Sequence, residues 1–196
     1  MLVGALADAG ADRDAIAQAI RSLDAGAEVS FEKVQRGGIA ATKYRVTTEE
    51  GHGHRHLSDI LEMIARSAIS GRARYNAQAI FRKLGEAEAE VHQVPVEQVH
   101  FHEVGAADSI ADIVGACVAF DLLGVNAVVC SPINVGGGTV QSEHGTLPVP
   151  APATARLLTG IPVYAQGPPV ELATPTGAAV ADTRDFHGRQ RAEAGG

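Results

Sequence analysis

Apolar residues recur near helical spacing from the start of the chain. Leu2, Leu6, Ala9, Ile16, Ala19, Ile20 and Leu23 place a helical stripe over residues 1–23. Gly10 interrupts the stripe, and Asp12 stands where it caps a second helix. The period then shortens: Val29 to Val34 and Ile39 to Thr47 read as two strands joined through Arg36-Gly37-Gly38, a hairpin signal. Helical spacing returns behind Ser58, a candidate cap, with Ile60, Leu61 and Ile64 as the apolar face. It returns again over 71–92, where Ala79, Ile80, Leu84, Ala87 and Val91 share a side until Pro95 ends the run. Residues 99–105 read as extended, a helix follows from about Asp108 to Leu123, and the Val-rich stretch Val125 to Cys130 reads as a buried strand. Pro148, Pro150 and Pro152 force an extended approach to a short helix over 153–159, and Val163 to Ala165 is a further short strand. Thr174 before Pro175 is an N-cap with proline at the first helical position.

These elements predict an α/β chain, with α+β also open, built as a small mixed sheet flanked by helices. Residues 1–182 form one domain in this reading. Residues 183–196 are polar and end in glycine, so a disordered tail is expected there.

Composition narrows the function. Of the 196 residues 45% are hydrophobic and 20% charged, a globular balance with enough chain to bury a core. Only 4% are aromatic and none is Trp, so Ala, Val, Ile and Leu must build that core. The formal charge of -7 disfavours a nucleic-acid partner, whose backbone asks for a basic face. Cys117 and Cys130 lack close pairing, which points to a reducing compartment without a disulfide framework. With no apolar stretch of the ~18 residues that cross a bilayer, no membrane partner and a cytoplasmic location are expected.

Four groups of residues can carry chemistry. The glycine-spaced loop Gly51-His52-Gly53-His54-Arg55-His56 can fold three imidazoles around one divalent ion, or be a solvated His-rich loop. In the extended run His100-Phe101-His102-Glu103, residues two apart share a face, so His100 and His102 lie side by side while Phe101 turns to the core. Those two histidines can share a metal or flank an anion, or simply line an edge strand. Asp108 and Asp112 share a helical face and can hold a cation or orient histidines. Ser109 with Asp112 also resembles a capping box, and helix initiation alone accounts for both carboxylates. Finally, Gly136, Gly137 and Gly138 precede His144-Gly145-Thr146, and Thr174-Pro175-Thr176-Gly177 opens a helix. Both offer backbone amides to an anion, and both also serve as ordinary turns.

Taken together, several strings closely resemble the LarC-type nickel-insertion proteins. They are His100-Phe101-His102-Glu103-Val104-Gly105, Asp108-Ser109-Ile110, Asp112-Ile113-Val114-Gly115, Ser131-Pro132 and Gly136-Gly137-Gly138. The run from His144 through Pro148, Pro150 and Pro152 to Thr154 continues the match, and Thr174-Pro175-Thr176-Gly177-Ala178-Ala179 completes it over about 80 residues. The resemblance implies nickel insertion into a pyridinium bisthiocarboxylate mononucleotide, forming a carbon–nickel bond flanked by two sulfurs. It implies a lyase-class, CTP-dependent nickel chelatase that uses Mn2+ or Mg2+. The resemblance further implies that the CTP site belongs to a C-terminal domain outside this sequence and that the domain present is incomplete at both ends, since family members begin with a strand and turn and Met1 falls where that turn is expected to end. The partners it allows are a separate C-terminal-domain chain and a homo-oligomer. Within that frame His52, His54, His56, His100 and His102 are the expected nickel ligands. Glu103, Asp108, Asp112 and His144 surround the reaction, while Gly136, Gly137, Gly138, Thr174 and Thr176 meet the nucleotide. The alternative is a nickel carrier or storage protein without catalysis.

Overall fold

Residues 1–48, 55–101, 106–142 and 144–182 are described by the structure, a computed structural model. The histidines at 52, 54 and 102, together with Glu103 and the expected tail, therefore lie outside the described residues.

The first apolar stripe folds as two helices, α1 (Leu2–Asp8) and α2 (Arg13–Arg21). Asp12 caps the second as expected, its carboxylate accepting the N–H groups of Asp14 and Ala15. Strands β1 (Ala27–Arg36) and β2 (Ile39–Thr48) form the antiparallel hairpin, in register from Ala27 opposite Thr48 to Arg36 opposite Ile39. Its two-residue turn needs positive φ at both central positions, and Gly37 and Gly38 supply 56° and 82°.

A two-residue strand, β3 (Arg55–His56), runs directly into α3 (Leu57–Arg66), so the N-cap is His56 and Ser58 lies inside the first turn. This corrects the expected cap. The long helix α4 (Gly71–His92) ends with Gln93 in the left-handed conformation. A 3₁₀ turn at Val96–Gln98 leads into β4 (His100–Phe101), which pairs antiparallel with β3.

Helix α5 (Ala107–Leu122) is the centre of the molecule. Ile110, Ala111, Ile113, Val114, Cys117 and Ala119 are all inaccessible to solvent, and over residues 113–120 the helix is buried on every side rather than on one stripe. It packs against α1, α2, α4, β1 and β2. Burial pushes the Cys117 thiol far above its ordinary range; Cys130 is exposed, and both are free thiols. The N-cap of α5 is Ala106, without a side-chain cap, which corrects the capping-box reading of Ser109 and Asp112.

The remainder comprises β5 (Ile133–Asn134), the hairpin β6 (Thr139–Ser142) with β7 (Gly145–Pro148), α6 (Pro152–Leu157), β8 (Val163–Tyr164) and α7 (Pro175–Asp182). β8 pairs in parallel with β5. The mixed α/β class holds, and the pairing is mixed, but among the described residues the strands form four two-stranded ladders rather than one sheet. Residues 125–130 form no strand. Val125 is held by its N–H to the Phe120 carbonyl and by Arg72 on its own carbonyl, after which Val129 stands 93% exposed. β-branched residues suit a pleated, half-buried surface, and among the described residues no strand runs beside this segment to provide one. No helix among them is long and apolar enough to cross a membrane.

Candidate functional site

The β3–β4 ladder brings two predicted ligands together across 44 residues of chain. His56 and His100 are directly opposed, so their side chains leave the same face, and their ring centroids are 3.8 Å apart at 47°. The alternation read from the sequence explains the outward turn of His100: Phe101 is 1% exposed and meets Phe81 edge-on at 6.4 Å. The His56 side is fixed by two contacts. Its N–H donates to Asp59 Oδ2 at 3.2 Å, and the neighbouring Arg55 donates to the Ala25 carbonyl at 2.9 Å. Two imidazoles supply part of a ligand set for a borderline divalent ion. No group of three His, Cys, Asp or Glu side chains able to hold a metal occurs among the described residues. The other histidines of both motifs flank this pair in the chain, outside those residues.

Behind Phe101 lies a cavity of about 280 Å³, with a polar end made by Glu88, His92, Ser142 and His144. His144 sits in the β6–β7 turn, its N–H donating to Ser142 Oγ at 3.1 Å. Its ring centroid is 4.9 Å from that of His92, the last residue of α4. Glu88, one turn earlier, brings Oε2 to 3.4 Å from His92 Nε2. Sequence reasoning missed both α4 residues. Their i,i+4 spacing was visible, yet it is also what any solvated helix face shows.

A second cavity, about 710 Å³, runs along one face of α5, from Ser109 to Phe120, and along α7, with Met1, Leu2 and Val3 on its wall. Ser109, Asp112, Cys130, Thr174 and Thr176 line it, so the carboxylate and the threonines predicted separately face one space. Thr174 Oγ1 accepts the Gly177 N–H at 3.2 Å and caps α7 as expected. Asp112 is half-buried, and that burial raises its carboxyl pKa, with the nearby Asp108 charge acting in the same direction. Asp108 itself is exposed, and its Oδ1 accepts the Ser109 N–H at 2.8 Å. Burial, then the Asp112 charge, pushes the Tyr44 phenol far above its usual range; its hydroxyl donates to the Ala111 carbonyl at 3.2 Å.

The glycine run lines neither space. The N–H groups of Gly136 and Gly137 donate to Asn134 Oδ1 and to the Val170 carbonyl, at 3.1 and 3.2 Å, so both amides already have protein partners. Gly136 bridges to Glu171. Glu171 and Pro175 line both cavities, which therefore adjoin across the 171–175 segment.

Comparison with known proteins returns one family. The family described as nickel insertion protein matches residues 1–190. A pyridinium-3,5-bisthiocarboxylic acid mononucleotide nickel insertion protein of Desulfitobacterium hafniense (strain DSM 10664 / DCB-2) is 52% identical over 181 residues, covering 92% of this chain and 45% of that protein. The protein of the same name from Geobacillus kaustophilus (strain HTA426) is 44% identical over 191 residues, covering 92% of this chain and 46% of its own. The chain spans about half the length of the curated relatives it matches. No solved structure matches it.

Proposed function

This chain belongs to the nickel insertion protein family, and from that premise we propose that it is the nickel-binding part of a protein that inserts nickel into pyridinium-3,5-bisthiocarboxylic acid mononucleotide. The observation that carries the reading is the His56–His100 pair, two imidazoles at 3.8 Å from motifs that each continue into further histidines. Nickel enters on these groups, with His52, His54 and His102 completing the set. Soft sulfur donors then draw the ion from the harder imidazole nitrogens, so transfer to a bisthiocarboxylate runs downhill.

The larger cavity takes the mononucleotide. Its volume of about 710 Å³ falls within the roughly 300–1,000 Å³ usual for small-molecule sites, whereas about 280 Å³ does not. Thr174 and Thr176, at the positive end of the α7 dipole, face the phosphate. Forming a carbon–nickel bond at a ring carbon releases that carbon's proton, and Asp112, a lining residue of the cavity, is in this reading the base that accepts it. Its raised affinity for a proton, caused by burial, suits the task. Asp108 tunes that carboxyl through its charge, and Glu103 and His144 are assigned in this reading to the nickel chemistry. CTP and Mn2+ or Mg2+ belong in this reading to a C-terminal domain, joined as a second domain or as a separate chain.

Calorimetric titration with nickel tests the reading, using the full chain and a His56→Ala/His100→Ala variant. Saturable binding by the parent and at least a tenfold weaker affinity in the variant are expected. A folded parent without saturable binding, or a variant that binds as before, refutes it. CTP consumption and a nickel-loaded nucleotide, on adding the relatives' C-terminal domain, distinguish insertion from mere carriage.

A further inference from the structure

We infer that His92 and His144 form a second station for a divalent transition-metal ion, distinct from the His56–His100 pair and set between it and the larger cavity. The inference rests on the nickel reading for the identity of the ion, and on ring geometry for the site. An imidazole nitrogen binds a borderline divalent ion at about 2.1 Å, and the ring centre lies about 1.1 Å beyond the nitrogen. Two imidazoles on one ion therefore hold their centres about 4.5 Å apart at a right angle and about 5.2 Å apart at the tetrahedral angle. The His92 and His144 centroids are 4.9 Å apart, between those limits, with the rings inclined at 51° rather than stacked. At 3.8 Å the His56 and His100 rings sit inside both limits and must part to share an ion.

The surroundings fit an ion and little else. The two histidines come from different elements, the end of α4 and the β6–β7 turn, and the fold alone brings them together. The cavity they share is about 280 Å³, and beyond its polar end Val91, Phe101, Val140 and Leu147 form apolar walls. Such a space admits a hydrated ion and excludes a mononucleotide. Glu88 stands 3.4 Å from His92 Nε2, the place of a carboxylate that fixes the orientation of a metal-binding imidazole. With no three-residue ligand set among the described residues, water fills the remaining positions. An ion held by two imidazoles and water leaves readily, as a transfer station requires. Through Phe101 the cavity touches the strand that carries His100, and through Glu171 and Pro175 it adjoins the cavity assigned to the nucleotide.

Equilibrium dialysis against nickel, with metal counted per chain, tests the inference. The parent is expected to hold two ions. His92→Ala, His144→Ala and the double variant should each lose the same single ion, and His56→Ala/His100→Ala should lose the other. Two ions retained by the folded double variant overturn the second station and leave the first reading intact. No bound nickel in the folded parent overturns both. Should the variants lose their circular dichroism, the parent labelled in its histidine rings answers by nuclear magnetic resonance. Substoichiometric nickel should broaden the ring signals of His92 and His144, and unbroadened signals refute the site.

Discussion

Substituting Gly136 by Ala separates a glycine that the fold requires from glycines held open for a ligand. Gly136 has φ of 82°, and a Cβ there would overlap the Val170 carbonyl oxygen and stand 3.1 Å from the Leu172 nitrogen. Both obstacles are backbone, so no side-chain rotation relieves them. The left-handed conformation costs a non-glycine residue about 1–2 kcal/mol. Forcing a packed contact apart costs about 1–3 kcal/mol more. The sum, about 2–5 kcal/mol, is a large part of the 5–15 kcal/mol on the order of which domains are stable. At about 2–4 °C per kcal/mol for a chain of this length, Tm should fall by roughly 4–20 °C. Gly137 is the control: nothing lies within 4 Å of its Cβ position, and an alanine keeps the N–H that donates to Val170. Gly137→Ala should stay within about 1 kcal/mol of the parent. The segment displaced by Gly136→Ala carries Glu171, a wall of both cavities, so nickel and nucleotide binding should weaken together in the variant that still folds. Urea melts followed by circular dichroism supply the energies. Equal costs for the two substitutions, or a Gly136→Ala chain as stable as the parent, refute the steric argument.

Asp112→Asn should change how stability depends on pH. Burial raises the carboxyl pKa in the folded chain above its ordinary 3.8, so the folded state keeps a proton that the unfolded chain has already released. The contribution of Asp112 is therefore fully present below 3.8 and is lost as pH rises through the higher folded-state value. The Asn variant should lack this decline and be relatively more stable at neutral pH; parallel melts from pH 4 to 7 showing identical slopes would count against the raised pKa. Thr174→Ala removes the Oγ1 that accepts the Gly177 N–H and should cost about 1 kcal/mol, with Thr174→Ser restoring most of it in urea melts. A larger loss of nucleotide affinity than of stability would place Thr174 against the ligand as well, and unchanged affinity would confine it to capping.

What could be read from the sequence was whatever a short window encodes. The α4 helix and the β1–β2 hairpin follow from apolar period and turn chemistry, and the Asp12 and Thr174 caps follow from a side chain that reaches its own neighbours. The alternation of His100 and Phe101 is local in the same sense, and it put the imidazole outside and the ring inside. The partner of His100 was not legible, because β3 and β4 are two residues each and no period fits in two residues. Helix α5 misled in the opposite way: its start carries Asp108, Ser109 and Asp112 together, so Ser109 looked like a cap although the helix begins at Ala107. The Val125 to Cys130 run shows that β propensity describes a surface a neighbour must complete; without one, Val129 remains in water. Glycine carries the same ambiguity, since a missing side chain announces close approach without saying what approaches. At Gly136 the answer is the protein's own backbone, which moves the ligand-facing part of this site to side chains contributed by α4, α5 and the turn before α7. A site assembled in that way, from residues whose only common property is where tertiary packing puts them, is legible once the packing is known and not before.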